Sequence, residues 1–164
     1  MSTRSGIGYD SHRLLAGRPL VLGGVVLPAE RGLDGHSDAD VLTHAVIDAL
    51  LGAAGLGDIG EHFPDSDDRY RDADSLILLA AVLDLVRGAG FEPVNVDATI
   101  VMERPKLGEL RVAIRERLAQ VLGIAIGDVN IKASTGEGIG FVGREEGVAA
   151  IAIATLRRER AAVD

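Results

Sequence analysis

Cysteine is absent from the 164-residue chain. That excludes disulfides, thiolate metal sites and a cysteine nucleophile. Tryptophan is also absent, and aromatic residues make up only 3%. With 47% hydrophobic residues, the core must be built from Ala, Val, Leu and Ile. Positive charge is in deficit, 17 Lys and Arg against 25 Asp and Glu, for a net charge of -8. Such a balance argues against general nucleic-acid binding. Local phosphate binding stays open, because a site needs local charge or a metal. No long hydrophobic run is present: Leu76–Val86 is interrupted by Asp84 and falls short of a membrane span. The N-terminus has no apolar targeting core. A cytoplasmic protein with no membrane and no nucleic-acid partner is expected, its residues 1–164 forming one domain.

Near the start stands Gly8-Tyr9-Asp10-Ser11-His12. On a strand, residues two apart share a face, about 7 Å apart. Asp10 and His12 can thus converge on one metal ion. Zinc accepts carboxylate oxygen and imidazole nitrogen, and a catalytic zinc keeps three protein ligands and one open position. The bland alternative is a solvated strand face. His44 is the candidate third ligand, on a helix from His36-Ser37-Asp38-Ala39-Asp40 to about Ala54. Val41, Leu42, Ala45, Val46, Ala49, Leu50 and Ala53 form its apolar face. His44 points away from that face, with Asp40 and Asp48 one turn to either side. Ser37 or Asp38 can cap the helix. His36 and Ser37 read most simply as a loop residue and a cap.

The first strand is expected over Ile7–Leu14. Leu20–Leu22, Gly23-Gly24 and Val25–Leu27 read as a hairpin, and 28–35 as irregular. Residues 61–72 read as an acid-rich, mobile surface loop, failing the calcium-loop pattern at Tyr70 and Leu76. A helix over Asp74–Val86, apolar nearly all round, is expected to be well buried. A strand over Pro93–Glu103 follows, with Val94, Val96, Ala98, Ile100 and Met102 on one face. Then come a basic turn at 104–106, a helix over Leu107–Leu122, a strand over Val129–Ser134, a glycine-rich loop over Thr135–Gly143, a strand over Gly147–Leu156 and a charged tail. This order predicts an α+β two-layer sandwich, a mixed sheet with helices on one face.

Gly138–Gly143 matches G-x-G-x-x-G, but a strand follows where a dinucleotide fold needs a helix. Lys132, Ser134, Thr135, the glycine amides and Arg144 nevertheless suit phosphate oxygens. Glu137 among them can hold a magnesium ion.

Gly8–His12, 35–41 (GHSDADV), 49–54 (ALLGAA), 57–60 (GDIG), 63–65 (FPD) and 140–144 (GFVGR) together resemble the 2-C-methyl-D-erythritol 2,4-cyclodiphosphate synthase family across nearly the whole chain. The resemblance implies a lyase of the non-mevalonate isoprenoid pathway. Its substrate would be 4-diphosphocytidyl-2-C-methyl-D-erythritol 2-phosphate, its products the cyclic diphosphate and CMP. Asp10, His12 and His44 would bind one zinc ion per subunit, and Glu137 a magnesium or manganese ion on the diphosphate. His36 and Thr135 would stabilise the transition state. Ser37, Asp58, Gly60, Phe63, Asp65 and Asp67 would contact the methylerythritol phosphate end, along with Asp10, His12 and His36. Met102, Pro105, Lys106, Leu107, Gly108 and Ala133 would form the cytidine pocket, with Ser134, Thr135 and Glu137 beside them. The family implies a homotrimer with sites between subunits. Phe141 and Arg144 near its axis would face a cavity for a prenyl diphosphate. A zinc-dependent phosphoester hydrolase and a non-catalytic nucleotide- or prenyl-diphosphate-binding trimer are the alternatives.

Overall fold

The computed structural model describes residues 2–158. Strand β1 runs Thr3–Ala16, β2 Leu20–Leu22, β3 Val25–Leu27 and β4 Arg31–Leu33. Helix α1 spans Val41–Ala54, α2 Ile59–His62 and α3 Ser75–Gly88. Strand β5 (Phe91–Val101), helix α4 (Leu110–Leu122), strand β6 (Val129–Ser134), the single turn α5 (Gly140–Gly143) and strand β7 (Gly147–Arg158) complete the chain. The five-stranded sheet has the order β4-β1-β7-β5-β6, and β2 and β3 form a separate hairpin. Only β5 and β6 run parallel; the other pairings are antiparallel. The expected α+β sandwich with a mixed sheet is present.

Alternation along β1 sets the layers. Gly6, Gly8, Asp10, His12 and Leu14 are the less exposed residues, while Ile7 and Tyr9 stand on the open face. Opposite them on β7, Ala150, Ala152 and Ala154 are buried and Ile151 and Ile153 exposed. Helix α1 lies on this patch of small residues. A Cβ added at Gly8 would fall onto the Ala45 carbonyl and lie 2.8 Å from the Ala49 nitrogen. At Gly6 it would strike the backbone of Ala49 and Ala53. Helix and strand therefore meet backbone to backbone, as only glycine permits. Helix α1 also carries Leu42, Leu50 and Leu51, all fully buried; each contributes about 2 kcal/mol of apolar burial.

The N-terminus of α1 is held by Asp40, not by Ser37 or Asp38. Its carboxylate, wholly buried, accepts from Thr43 N–H and Oγ1 and from the amides of Gly23 and Gly24. The cap thereby ties the helix to the β2–β3 turn, and Asp40 does not flank His44 on an exposed side. Burial pushes its carboxyl above the usual carboxylate range, against the donors that surround it.

Several expected boundaries differ. The first strand extends to Thr3 and Ala16, because β7 pairs with it from Thr3 to Arg13 and β4 takes over from Leu14. That second pairing gives the supposedly irregular 28–35 segment its strand. Helix α3 is buried on one face only, through Leu78, Leu79, Val82, Leu83 and Val86, leaving Ile77 and Leu85 exposed. An apolar composition does not bury a helix whose outer face has nothing to meet. A register shift between Pro93 and Asn95 turns Val94 out of the face shared by Val96, Ala98 and Ile100. Helix α4 starts at Leu110, not Leu107. Arg157 and Arg158 continue β7, while the rest of the charged tail lies outside the described residues.

A Gly8→Ala chain is expected to lose about 2–3 kcal/mol of stability through forced separation of α1 from β1. Gly52 lies within the same helix, where an added Cβ meets only the Ile7 carbonyl at 3.9 Å; Gly52→Ala should gain about 0.5–1 kcal/mol. Urea unfolding followed by circular dichroism separates the two, and a Gly8→Ala chain as stable as the parent would refute the close contact.

Candidate active site

The close seat of α1 brings His44 over Asp10 and His12. Asp10 Oδ2 lies 2.9 Å from His12 Nε2 and 3.0 Å from His44 Nδ1, and those two nitrogens are 3.2 Å apart. The three side chains offer ligand atoms that all lie within 4.8 Å of one another. Both imidazoles are anchored from behind. His12 Nδ1 is 2.7 Å from the Asp34 carbonyl, an acceptor only, so Nδ1 carries the proton. His44 Nε2 is 2.8 Å from Ser75 Oγ. That hydroxyl donates to Asp38, so it accepts from His44 Nε2–H. In the neutral rings both inward nitrogens therefore present lone pairs, facing a carboxylate oxygen. Three acceptors at such distances need a cation among them. The set fits a divalent metal, with the second ring nitrogens engaged as metal-site histidines usually are.

Without a metal, a proton fills that role. Burial disfavours charge on His12, yet its hydrogen bond to Asp10 prevails and raises its pKa above 6.5. Burial likewise opposes the Asp10 carboxylate, but the two imidazoles outweigh it and lower its pKa to about 2.

The supporting residues come from distant segments; the sequence reading missed Ser75 and Arg18, and gave Asp38 and Asp48 other roles. Ser75 is fully buried at the start of α3. Asp38 accepts from its amide as well as its hydroxyl. Arg18 donates to the carbonyls of Leu33, Gly35 and Ser37, fixing the chain that carries His36. Gly35 leaves room for the His12 ring, since a Cβ there would sit 2.9 Å from its Cε1. Asp48 accepts from the amide of Ile59 at 2.8 Å and so holds α2. Gly35 and Asp38 lie within the quoted 35–41 motif, whereas Ser75 and Arg18 had no sequence signal.

A cleft of about 460 Å³ opens beside these three side chains, lined among others by His36, Ser37, Gly60, Phe63 and Asp65. Ser37 is no helix cap; its hydroxyl accepts from Ala39 N–H and lies 3.2 Å from His44 Nε2. His36 Nε2 donates to the Asp67 carbonyl at 3.0 Å. Asp58 caps α2 through Glu61 N–H, while the Asp67 carboxylate is engaged by Arg69. The 61–72 stretch is more ordered than a plain loop: it holds the end of α2 and a 3-10 turn at Asp68–Tyr70, with Phe63 and Tyr70 packed edge to face.

The remaining expected residues gather elsewhere, where β5 and β6 end side by side. Met102 and Leu107 are buried, while Gly108, Ala133 and Ser134 are exposed. Pro105 and Lys106 line a second cavity of about 640 Å³ with Arg31, Glu103, Arg104 and Glu145. Thr135 Oγ1 donates to Glu137 Oε1 at 2.9 Å; Glu137 is exposed, and its carboxylate is a donor suited to a hard cation. Phe141 is part-exposed, and Arg144 pairs with Glu146. The two cavities share no lining residue, so one chain does not join the two groups.

The sequence model of the YgbB family matches residues 3–157. The chain belongs to the YgbB family. A relative from Symbiobacterium thermophilum named 2-C-methyl-D-erythritol 2,4-cyclodiphosphate synthase is 60% identical over 92% of this chain and 96% of its own. A solved structure of a synthase of that name, in a CDP-bound form, superposes with a TM-score of 0.87 at 38% identity, covering 94% of this chain and all of that one. The bifunctional IspDF from Campylobacter jejuni matches with a TM-score of 0.93 at 42% identity over 96% of this chain; the match spans 43% of that longer protein. The resemblance drawn from short motifs is borne out. Among the described residues no helix is long and apolar enough to cross a membrane.

Ser75→Ala removes the acceptor behind His44 and should weaken divalent-metal binding about 10- to 100-fold, measured with added Zn²⁺ by competition with a chromophoric chelator. Acidification should weaken it too. The proton on His12 must leave before metal enters, so affinity falls about tenfold per pH unit below its raised pKa. In the metal-free chain the His12 contribution to stability is full below pH 6.5 and lost as pH rises through the raised value. The Asp10 contribution is full above its ordinary 3.8 and lost on acidification toward about 2. Calorimetric melting across pH 2–9 follows both limbs.

Proposed function

We propose that this chain converts 4-diphosphocytidyl-2-C-methyl-D-erythritol 2-phosphate into 2-C-methyl-D-erythritol 2,4-cyclodiphosphate and CMP, as a cytoplasmic lyase of the non-mevalonate isoprenoid pathway. The observation that carries this is the convergent Asp10–His12–His44 centre beside a cleft, in a chain matched almost end to end by synthases of that name. Asp10, His12 and His44 would hold zinc and Glu137 magnesium or manganese; when bound, these ions neutralise and orient phosphate oxygens.

The reaction needs no protein nucleophile, which suits a chain without cysteine. An oxygen of the 2-phosphate attacks the β-phosphorus, and the bond from that phosphorus to the bridging oxygen breaks. CMP departs with the bridging oxygen, and no water is consumed. Nucleophile and target belong to one molecule, so the protein's task is to fold the substrate into line and to stabilise charge. Ser37, Asp58, Gly60, Phe63, Asp65 and Asp67 would hold the methylerythritol phosphate end. Met102, Pro105, Lys106, Leu107, Gly108, Ala133 and Ser134 would hold the cytidine. His36 and Thr135 would stabilise the transition state at the reacting phosphates.

A homotrimer with sites between subunits fits this reading. The two cavities share no residue within one chain, and the sheet leaves Ile7, Tyr9, Ile151 and Ile153 uncovered. Docking such faces would set one subunit's metal cleft beside its neighbour's nucleotide segment. Phe141 and Arg144 would then line a central cavity for a prenyl diphosphate.

Incubation with the cytidine diphospho substrate should release CMP and give a cyclic product by 31P NMR. His44→Ala should lose zinc and at least about 100-fold in turnover while keeping its assembly size by light scattering. A linear product would indicate a hydrolase instead. A bound prenyl diphosphate without CMP release would indicate a binding protein.

A further inference from the structure

We propose that Glu103 is a positioning residue, locking the Thr135–Glu137 turn to the segment 102–108. The inference rests on the reading that these two segments meet the diphosphate and the cytidine.

Strands β5 and β6 leave the sheet together. Their parallel register ends at Val101 opposite Ser134, and Met102 N–H still donates to the Ser134 carbonyl at 2.9 Å. Beyond that point backbone pairing stops, and the next link is a side chain. Glu103 Oε1 accepts the Gly136 N–H at 2.6 Å in a part-buried setting. Gly136 sits between the two residues whose placement matters. A Cβ there would lie 2.6 Å from the Gly143 nitrogen and 3.0 Å from the Ile139 carbonyl, so the turn is closely folded. Glu137 follows with φ at +53°, a left-handed conformation unfavourable outside glycine. Its carboxylate and amide both engage Thr135 Oγ1, so Thr135 and Glu137 move as a unit. Among the described residues, the Glu103 bond is the only side-chain hydrogen bond reaching residues 135–140 from outside that stretch and Ser134.

The bond is charge-assisted and short, and Glu103 makes no ion pair to compete with it among the described residues. A second tie from this segment, Arg104 Nε to Glu145 Oε1 at 3.1 Å, reaches the chain beyond α5 and not the turn itself. With the Arg104 side chain 82% exposed, it contributes little. Glu103 is thus the element that sets where Thr135 and Glu137 point relative to a nucleotide held by its own segment.

The test compares Glu103→Ala with Glu103→Gln, which keeps an acceptor oxygen in place. In metal-free protein, exchange of the Gly136 amide, followed by NMR, should quicken about tenfold or more in Glu103→Ala and stay near the parent rate in Glu103→Gln. In turnover, Glu103→Ala should lower kcat about tenfold and raise the Mg²⁺ concentration for half-maximal rate, with zinc content and Tm unchanged; Glu103→Gln should restore most of both. An unchanged Gly136 amide, or an unchanged kcat and Mg²⁺ dependence in Glu103→Ala, overturns the proposal. Failure of the parent chain to form cyclic product would overturn the assigned reaction instead, and the amide measurement would still read the contact.

Discussion

The structure depends on the direct contact of α1 with β1. Gly6 and Gly8 place no side chain between the helix backbone and the strand backbone, and Ala150, Ala152 and Ala154 extend the shallow floor across β7. A helix seated on larger side chains would stand farther from the sheet. His44 would then rise away from Asp10 and His12, which lie further along the same strand. The alternation that places Gly6 and Gly8 toward the helix places Asp10 and His12 there too. One register therefore decides both the packing and the metal centre.

Charge explains why the centre holds together. Asp34, by its carbonyl, and the Ser75–Asp38 pair, by hydroxyl and carboxylate, take the outward protons of the two imidazoles. What faces inward is then electron-rich on all three sides. Such a cluster is costly when empty of positive charge, and a proton on His12 or a metal ion relieves it. The same network joins α1, α3 and the 34–40 segment, so the fold's stability and its affinity for a cation rest on shared bonds.

A different division governs the substrate groups. The residues proposed for the methylerythritol end lie with α1, α2 and the 61–72 stretch, and those proposed for the cytidine lie at the ends of β5 and β6. Of the first group Ser37, Gly60, Phe63 and Asp65 line the cleft of about 460 Å³, and of the second Pro105 and Lys106 line the separate cavity of about 640 Å³. The open face of the sheet carries Ile7, Tyr9, Ile151 and Ile153, and it is the surface used in the proposed assembly of copies of the chain. The parallel β5–β6 pair releases the 102–108 and 135–144 segments in the same direction, which is why residues over thirty positions apart lie against one another there.

Local pattern was enough for a good part of this. The first strand was expected over Ile7–Leu14, inside the longer β1, the Gly-Gly pair located the β2–β3 hairpin, and helical spacing located α1. The residue types Asp10, His12 and His44 announced a metal set, and agreement among several short motifs announced the family. Local pattern failed where a partner decided the outcome. Asp40, rather than Ser37 or Asp38, caps α1 because the Gly23 and Gly24 amides come to it from another element. Ile77 and Leu85 on α3 remain exposed because no layer covers them, whatever their hydrophobicity. Ser75, Arg18 and Glu103 carry no motif of their own; each acts through a bond to a distant segment or to a backbone group. The amino-acid sequence by itself determined which chemistry the chain can perform, since that follows from residue types and short-range spacing. Only the tertiary structure decided which nitrogens of His12 and His44 face inward and what holds them, because a hydrogen bond between residues such as His44 and Ser75 exists only once the helices are packed.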